Sequence, residues 1–92
     1  APDLARYIIE VAFGQIYERP GLSLQERELL TLSSLLTAGG CEAQLQVHIN
    51  AALHVGIKEE KIIEAFLHCI PYTGFPKVLN AVAVAGQIFS GK

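Results

Sequence analysis

YTGFPKVLNA, residues 72–81, separates two stretches of the chain in which apolar residues recur at helical spacing. Gly74 permits backbone conformations that other residues avoid, and Pro76 suits the first turn of a helix because it lacks an amide hydrogen that would have no partner there. The segment therefore predicts a tight break between two helices. Its aromatic and polar groups can face a pocket, although the same residues are also typical of a turn with no other role.

The hydrophobic spacing on either side of this break predicts an all-α bundle of about five helices. Asp3 and the capping box Ser23–Glu26 indicate helix starts, and Gly39 and Gly56 suit helix ends. The predicted helices run from Asp3 to just before Pro20, from Ser23 to Gly39, from Cys41 to Val55, from Lys58 to about Pro71, and from Pro76 to about Phe89. Their apolar faces contain Leu4, Tyr7, Ile8, Val11, Ala12 and Ile16; Leu29, Leu30, Leu32 and Leu36; Leu45, Ile49, Ala52 and Leu53; Ile62, Ile63, Phe66, Leu67 and Ile70; and Val78, Leu79 and Val82. No strand, repeat or linker is indicated, so residues 1–92 are predicted to form one domain.

The composition indicates more apolar surface than so short a chain can bury by itself. A chain of 92 residues buries only about 60 to 65% of the surface that its unfolded form exposes, yet 51% of its residues are hydrophobic and only 17% are charged. The surplus is most simply covered by further copies of the chain. We therefore expect a homo-oligomer.

Charge and hydropathy argue against several classes of partner. The formal net charge of −2 and the seven scattered Lys and Arg residues offer little attraction to phosphate backbones, so no nucleic-acid partner is expected. No apolar run reaches the roughly 18 residues of a membrane span, and the first residues lack the order of a signal peptide, so we expect a cytoplasmic protein outside the membrane. In that compartment the two cysteines are expected to be free thiols. The three histidines are not spaced to converge, so no metal site is expected.

Cys41, Gln44 and His48 form the most specific polar pattern in the chain. Residues three and four apart in a helix project from one side, so all three are expected on one face. The pattern resembles the Cys-x-x-Cys-x-x-x-His motif of the alkylhydroperoxidase D superfamily, with Gln44 at the position of the second cysteine. A cysteine that faces a glutamine cannot cycle through a disulfide, so this departure counts against peroxidase chemistry.

Other motifs are similar to the carboxymuconolactone decarboxylase family of that superfamily. They are Arg19-Pro20-Gly21-Leu22, Arg27-Glu28-Leu29-Leu30-Thr31-Leu32, His48 with Ala52 and Gly56, and Tyr72-x-Gly74-Phe75-Pro76-x-x-x-Asn80-Ala81, in the order and spacing of that family. The resemblance implies an alkylhydroperoxidase D-like helical bundle that assembles as a trimer, or as a hexamer built from a trimer of dimers. It also implies loss of CO2 from a γ-carboxymuconolactone, a lactone dicarboxylate of aromatic catabolism, without a cofactor.

The same resemblance, combined with the chemistry of decarboxylation, suggests roles for six residues. Loss of CO2 leaves an electron pair that delocalises onto the lactone carbonyl, which requires cationic or hydrogen-bonding groups and a proton donor. Arg27 would hold a substrate carboxylate, His48 would polarise the lactone or donate the proton, and Glu28 would set the protonation of His48. The predicted catalytic residues are therefore His48, Glu28 and Cys41, and the predicted substrate-binding residues are Arg27, Tyr72 and Gln44.

Each assignment has a structural alternative. His48 can be an interior or interface histidine, and Tyr72 can belong to an ordinary turn. Arg27 and Glu28 can form common ion pairs, since neighbouring helical positions point about 100° apart and do not easily face one pocket. Two other functions also stay open. One is a thiol oxidoreductase that uses Cys41, with Cys69 as its resolving partner, and the other is a non-catalytic oligomer that binds a small ligand or a protein.

Overall fold

The computed structural model describes residues 1–91, and its regular structure over that range is entirely helical. The elements are α1 (Pro2–Tyr7), a π-helical segment (Ile8–Ile16), α2 (Leu24–Ala38), α3 (Glu42–His54), α4 (Glu59–His68), α5 (Ile70–Thr73) and α6 (Phe75–Phe89). The predicted all-α class is confirmed. The five predicted helices appear in the predicted order, and the short helix α5 is an addition between the last two.

The predicted capping box fixes the start of α2. The Glu26 amide donates a hydrogen bond to Ser23 Oγ at 3.0 Å, and the Ser23 amide donates to Glu26 Oε1 at 2.8 Å. These two bonds satisfy amides that have no partner within the helix. At the other end, Gly39 takes φ = 77°, a conformation that favours glycine, and α2 stops at Ala38. The position of α2 is therefore set at both ends by local sequence.

Removal of the cap at Ser23 is expected to destabilise the fold without touching its core. For Ser23→Ala we expect the free energy of unfolding to fall by about 1 kcal/mol, because one helix amide loses its acceptor. Urea denaturation followed by circular dichroism measures the change. Ser90→Ala is a matched control, since Ser90 is exposed at the end of α6 and its hydroxyl donates only to the nearby Gln87 carbonyl. Equal stability of Ser23→Ala and the unchanged protein would show that the cap does not stabilise α2.

Four helices, α2, α3, α4 and α6, enclose the hydrophobic core. Its buried members are Leu32, Leu36, Leu45, Ile49, Ala52, Ile57, Ile62, Phe66, Cys69, Val78, Ala81 and Ala85. Three residues of the predicted apolar faces, Leu30, Leu67 and Leu79, lie outside this core and are 55%, 44% and 62% exposed. Each helix offers a broader apolar stripe than three neighbouring helices of one chain can cover.

The amino-terminal segment departs most from the prediction. Asp3 does not cap α1, which begins at Pro2 with Ala1 as its N-cap, and Asp3 instead pairs with Arg6 at 3.4 Å. From Ile8 the chain continues as a π-helix, in which each amide bonds the carbonyl five residues earlier. The predicted stripe of this segment is not buried, since none of residues 2–16 lies in the core. An apolar pattern at α-helical spacing predicts an apolar helix face, but it does not show whether that face is buried within the same chain.

The break that separates the last two long helices is confirmed. Helix α4 ends at His68, Pro71 occupies the first turn of α5, and Gly74 takes φ = 97° before α6 begins at Phe75. Pro76 is thus the second residue of α6 instead of the first. Ala81 on α6 is fully buried and belongs to the core. None of the helices described over residues 1–91 has the length and hydropathy needed to cross a membrane.

Candidate functional site

Glu28 and His48 form a partly buried pair between α2 and α3. His48 Nδ1 lies 3.1 Å from Glu28 Oε1, the glutamate is 5% exposed, and the histidine side chain is 23% exposed. A carboxylate only accepts hydrogen bonds, so this contact places a hydrogen on Nδ1. The pair therefore fixes the ring orientation and leaves Nε2 as the nitrogen available to a ligand, as an acceptor when the ring is neutral and as a donor when it is protonated.

Arg27 precedes Glu28 and points to another side of α2. Its residue is 9% exposed, and its Nη2 donates a hydrogen bond to the Arg19 carbonyl at 2.7 Å. Its Nε is buried without a hydrogen-bond partner among residues 1–91, and no carboxylate in that range forms a salt bridge with it. A buried guanidinium without a counter-ion is costly in free energy. It is therefore suited to receive an anionic ligand.

Tyr17 and Thr31 join the end of the π-helical segment to α2. Tyr17 Oη lies 2.6 Å from Thr31 Oγ1, and Thr31 Oγ1 donates to the Arg27 carbonyl at 2.9 Å. A threonine hydroxyl carries one hydrogen, so with that hydrogen on the carbonyl the Tyr17 hydroxyl must donate to Thr31. Two successive hydrogen bonds therefore run from the Tyr17 hydroxyl through the Thr31 hydroxyl to the Arg27 carbonyl.

The surroundings of Tyr17 keep its hydroxyl protonated. Burial raises the pKa of Tyr17 above its usual value of 10.0, and the negative charge of Glu28 adds to the rise. The hydrogen bond with Thr31 and the positive charge of Arg27 act in the opposite direction on this pKa without cancelling the rise. Tyr17 therefore lies close enough to Arg27 and to Glu28 for both charges to affect its pKa. It is a neutral hydrogen-bond donor across the physiological pH range.

An open cleft of about 290 Å³ lies between the end of the π-helical segment and α2. It is lined by Ile16, Tyr17, Leu22, Arg27, Leu30, Thr31, Ser34 and Leu35. Its volume is near the lower end of the range for small-molecule sites, and a few polar groups among apolar walls are typical of such sites. The arrangement can hold a small anion with an apolar body, with its charge at Arg27.

The structure brings together some of the predicted site residues but not all of them. Arg27 lines the cleft, whereas His48 does not and meets Glu28 on the neighbouring side of α2. Gln44 is exposed on α3, and Tyr72 is 79% exposed, with its ring centroid 5.7 Å from that of His68. Neither lines the cleft.

The two cysteines lie apart from the cleft. Cys41 is the N-cap residue of α3, and its thiol donates to the Gly39 carbonyl at 3.4 Å. Cys69 belongs to the core, and its thiol donates to the Ala65 carbonyl at 3.4 Å. Both are free thiols in the structure. Among residues 1–91 no group of three or more metal-binding side chains comes together.

Tyr17 and Thr31 were not among the predicted site residues. The sequence does carry a signal for Thr31, which is four residues after Arg27 and therefore on the same face of α2. Tyr17 has no comparable signal. It follows a helix whose π-helical geometry cannot be read from hydrophobic spacing, and it meets α2 only through the turn that includes Pro20 and Gly21.

Two relatives with assigned activities are similar to most of this chain. It is 33% identical over 87 residues to 4-carboxymuconolactone decarboxylase of Acinetobacter baylyi, which covers 95% of this chain and 64% of that protein. It is 38% identical over 77 residues to nitrosuccinic acid decarboxylase of Metarhizium robertsii, which covers 84% of this chain and 53% of that protein. The chain therefore spans between about half and two thirds of the lengths of these relatives.

The family model for carboxymuconolactone decarboxylases matches residues 2–87. An uncharacterised 15.0 kDa protein of Paracoccus denitrificans is also similar, with 27% identity over 97% of this chain and 67% of that protein. The match to the family model leaves only the two ends of the 92 residues uncovered, and the chain therefore belongs to the carboxymuconolactone decarboxylase family.

Proposed function

We propose that this protein decarboxylates a small acid, either a γ-carboxymuconolactone or a related lactone acid, without a cofactor. The observation that carries the proposal is the buried Arg27 guanidinium, which lines the cleft without a counter-ion among the described residues. The names of two relatives support the reaction type, since both are decarboxylases although their acids differ. A lactone acid and nitrosuccinic acid have a carboxylate and an electron-accepting group in common.

In the proposed reaction Arg27 binds a substrate carboxylate that is retained, through charge-assisted N–H bonds. The bond between carbon and the departing carboxylate breaks, CO2 leaves, and the electron pair moves through the ring onto the lactone carbonyl oxygen. Hydrogen-bond donors that already point at this oxygen lower the barrier, because they do not have to reorganise as the charge forms. Once a neighbouring subunit closes the open cleft, its apolar walls strengthen these interactions by excluding water.

His48 supplies the proton that replaces CO2. His48 does not line the cleft, so in its protonated form it donates from Nε2 to the substrate carbon through one bridging water, while the carboxylate of Glu28 accepts the hydrogen of Nδ1. Water then returns a proton to Nε2. Tyr17 lies near both sides of α2, since the charges of Glu28 and Arg27 both act on its pKa.

Incubation of the purified protein with γ-carboxymuconolactone tests this proposal directly. The ultraviolet absorbance of the lactone is expected to change with time as the enol-lactone product forms, and CO2 is expected in equal amount. Nitrosuccinic acid serves as the second substrate, since it has the same pairing of a carboxylate with an electron sink. A rate no faster than that in buffer, for both acids and with the assembled protein, would contradict the proposal.

For the assembly we propose a homo-oligomer, a trimer or a hexamer, held together by two apolar surfaces. The first is the amino-terminal surface, made of Leu4, Tyr7, Ile8, Ile9, Val11, Phe13 and Ile16, which are all more than 40% exposed. The second is the carboxy-terminal surface, made of Leu67, Tyr72, Phe75 and Leu79. Two separate surfaces suit a closed ring or a trimer of dimers, whereas a single dimer contact would need only one. The first surface continues to Ile16 at the cleft, so a neighbouring subunit would close it.

A charge within the amino-terminal surface is expected to break the assembly. Ile9 is 66% exposed in the single chain, and Ile9→Glu would place an unpaired carboxylate in an apolar contact. Light scattering after size exclusion should give a lower mass for Ile9→Glu than for the unchanged protein. Gln46→Glu adds the same charge at an exposed polar position of α3 and is expected to keep the mass. An unchanged mass for Ile9→Glu would place the subunit contact elsewhere.

A further inference from the structure

Tyr17 lines the cleft together with two other hydroxyl residues, Thr31 and Ser34, and a bound molecule can redirect its hydroxyl. Its hydrogen now goes to Thr31, whose own hydrogen goes to the Arg27 carbonyl. Hydroxyl groups turn about a single bond, so the chain can reverse at little cost. When an oxyanion enters the cleft, Thr31 can donate to Tyr17, and Tyr17 can then donate to the oxyanion.

We propose that Tyr17 is a catalytic residue that stabilises the oxyanion formed as CO2 leaves, and that Thr31 is the positioning residue that aligns the phenol. The inference rests on the proposed decarboxylation and assigns one of its donors. Tyr17 and Thr31 line the same cleft as Arg27, so a molecule whose carboxylate lies on the guanidinium has its body near the phenol. Two hydroxyls in series polarise each other, which strengthens the final bond to the oxyanion.

The properties of Tyr17 fit a donor better than a proton source. Burial raises the pKa of its hydroxyl, so the group keeps its hydrogen while it bonds an anion. Its ring is held by Phe13, with centroids 5.4 Å apart, and its amide bonds the Ala12 carbonyl at 2.8 Å. A donor that is held in place before the reaction does not have to reorganise when negative charge forms on the substrate oxygen. The proton for carbon still comes from His48, so the balance of the reaction is unchanged.

Tyr17→Phe removes the hydroxyl and keeps the ring against Phe13. We expect kcat to fall about 100-fold with little change in KM, because the lost bond forms mainly in the transition state. Thr31→Val should lower kcat by a smaller factor, and Thr31→Ser should restore it, since serine keeps the hydroxyl. A merely structural role for Thr31 would not show this rescue at equal thermal stability.

A binding experiment tests the role of Tyr17 even when the natural substrate is neither of the two acids named above. Loss of CO2 from nitrosuccinic acid gives the nitronate of 3-nitropropanoate, a stable oxyanion that carries a carboxylate. Nuclear magnetic resonance titration in alkaline buffer should show that Tyr17→Phe binds this nitronate about 10- to 100-fold more weakly than the unchanged protein, since a hydrogen bond to a charged group is lost. Butanoate, which offers Arg27 a carboxylate but has no second oxyanion, should bind both proteins equally.

The outcomes separate the two proposals. An active protein whose Tyr17→Phe variant keeps the full kcat would overturn the role of Tyr17 and leave the decarboxylase proposal intact. A protein that is inactive on every acid would remove the decarboxylase proposal, and the titration would then decide alone. Equal nitronate affinity in the two proteins, or no nitronate binding to the unchanged protein, would overturn the inference.

Discussion

Arg27→Met is expected to lower kcat/KM for the lactone acid by about 30- to 5,000-fold. This range corresponds to the 2 to 5 kcal/mol that a buried charge pair typically loses when one partner is removed. Methionine keeps an unbranched apolar stem, although it is shorter than arginine, and it has no N–H donor. The loss should appear mainly in KM if Arg27 holds the retained carboxylate equally well in the ground state and the transition state. Steady-state kinetics by ultraviolet absorbance measure both constants.

Stability separates this effect from a folding defect. Arg27 donates to the Arg19 carbonyl, but its buried Nε has no partner among the described residues. Loss of the first bond is offset by removal of an uncompensated charge, so Arg27→Met should change the free energy of unfolding by less than about 1 kcal/mol. Arg27→Lys, which keeps the charge but not the planar fork, should lose less activity. Full activity of Arg27→Met would show that Arg27 does not bind the substrate.

The second large effect is expected for His48→Gln, which should lower kcat by about 100- to 10,000-fold, the usual contribution of a general acid or base. Glutamine can still bond Glu28 with its amide group, so the contact at 3.1 Å has a replacement. It cannot carry a proton to carbon. Single-turnover kinetics at saturating substrate measure the step itself.

His54→Gln is the matched control for His48→Gln. His54 lies at the end of the same helix α3 and is exposed, and it contacts neither the cleft nor Glu28. We expect it to keep the full kcat. Equal losses of activity in the two variants would show that any change in α3 lowers the rate. Full activity in both variants would show that the proton comes from a group other than His48.

The sequence predicted the bundle well where local chemistry decides the structure. The capping box at Ser23, the glycine at position 39 and the break at Gly74 each fix a helix end through interactions within a few residues. The amino-terminal segment was predicted poorly for a related reason. Its apolar residues follow helical spacing, but that spacing distinguishes neither a π-helix from an α-helix nor an exposed apolar face from a buried one.

The candidate site was predicted in part. Arg27 and Glu28 were predicted to serve one site, but as adjacent helical residues they point apart, with Arg27 in the cleft and Glu28 on His48. The helical spacing of α3 and α2 does not show which residues of two helices meet, so the pairing of Glu28 with His48 was expected only from the family resemblance, and the structure places the two side chains 3.1 Å apart. Tyr17 was missed because it reaches α2 through a turn, and no spacing rule connects residues on either side of a turn.

A crystal structure of the assembled protein with a stable dicarboxylate such as muconate tests the central claim most directly. The account predicts one carboxylate on the Arg27 guanidinium, in the cleft between the π-helical segment and α2, with the body of the ligand beside Tyr17. It also predicts that Nε of Arg27, which has no partner among the described residues, gains one. A dicarboxylate bound away from this cleft, with Arg27 still lacking a counter-ion, would contradict the account.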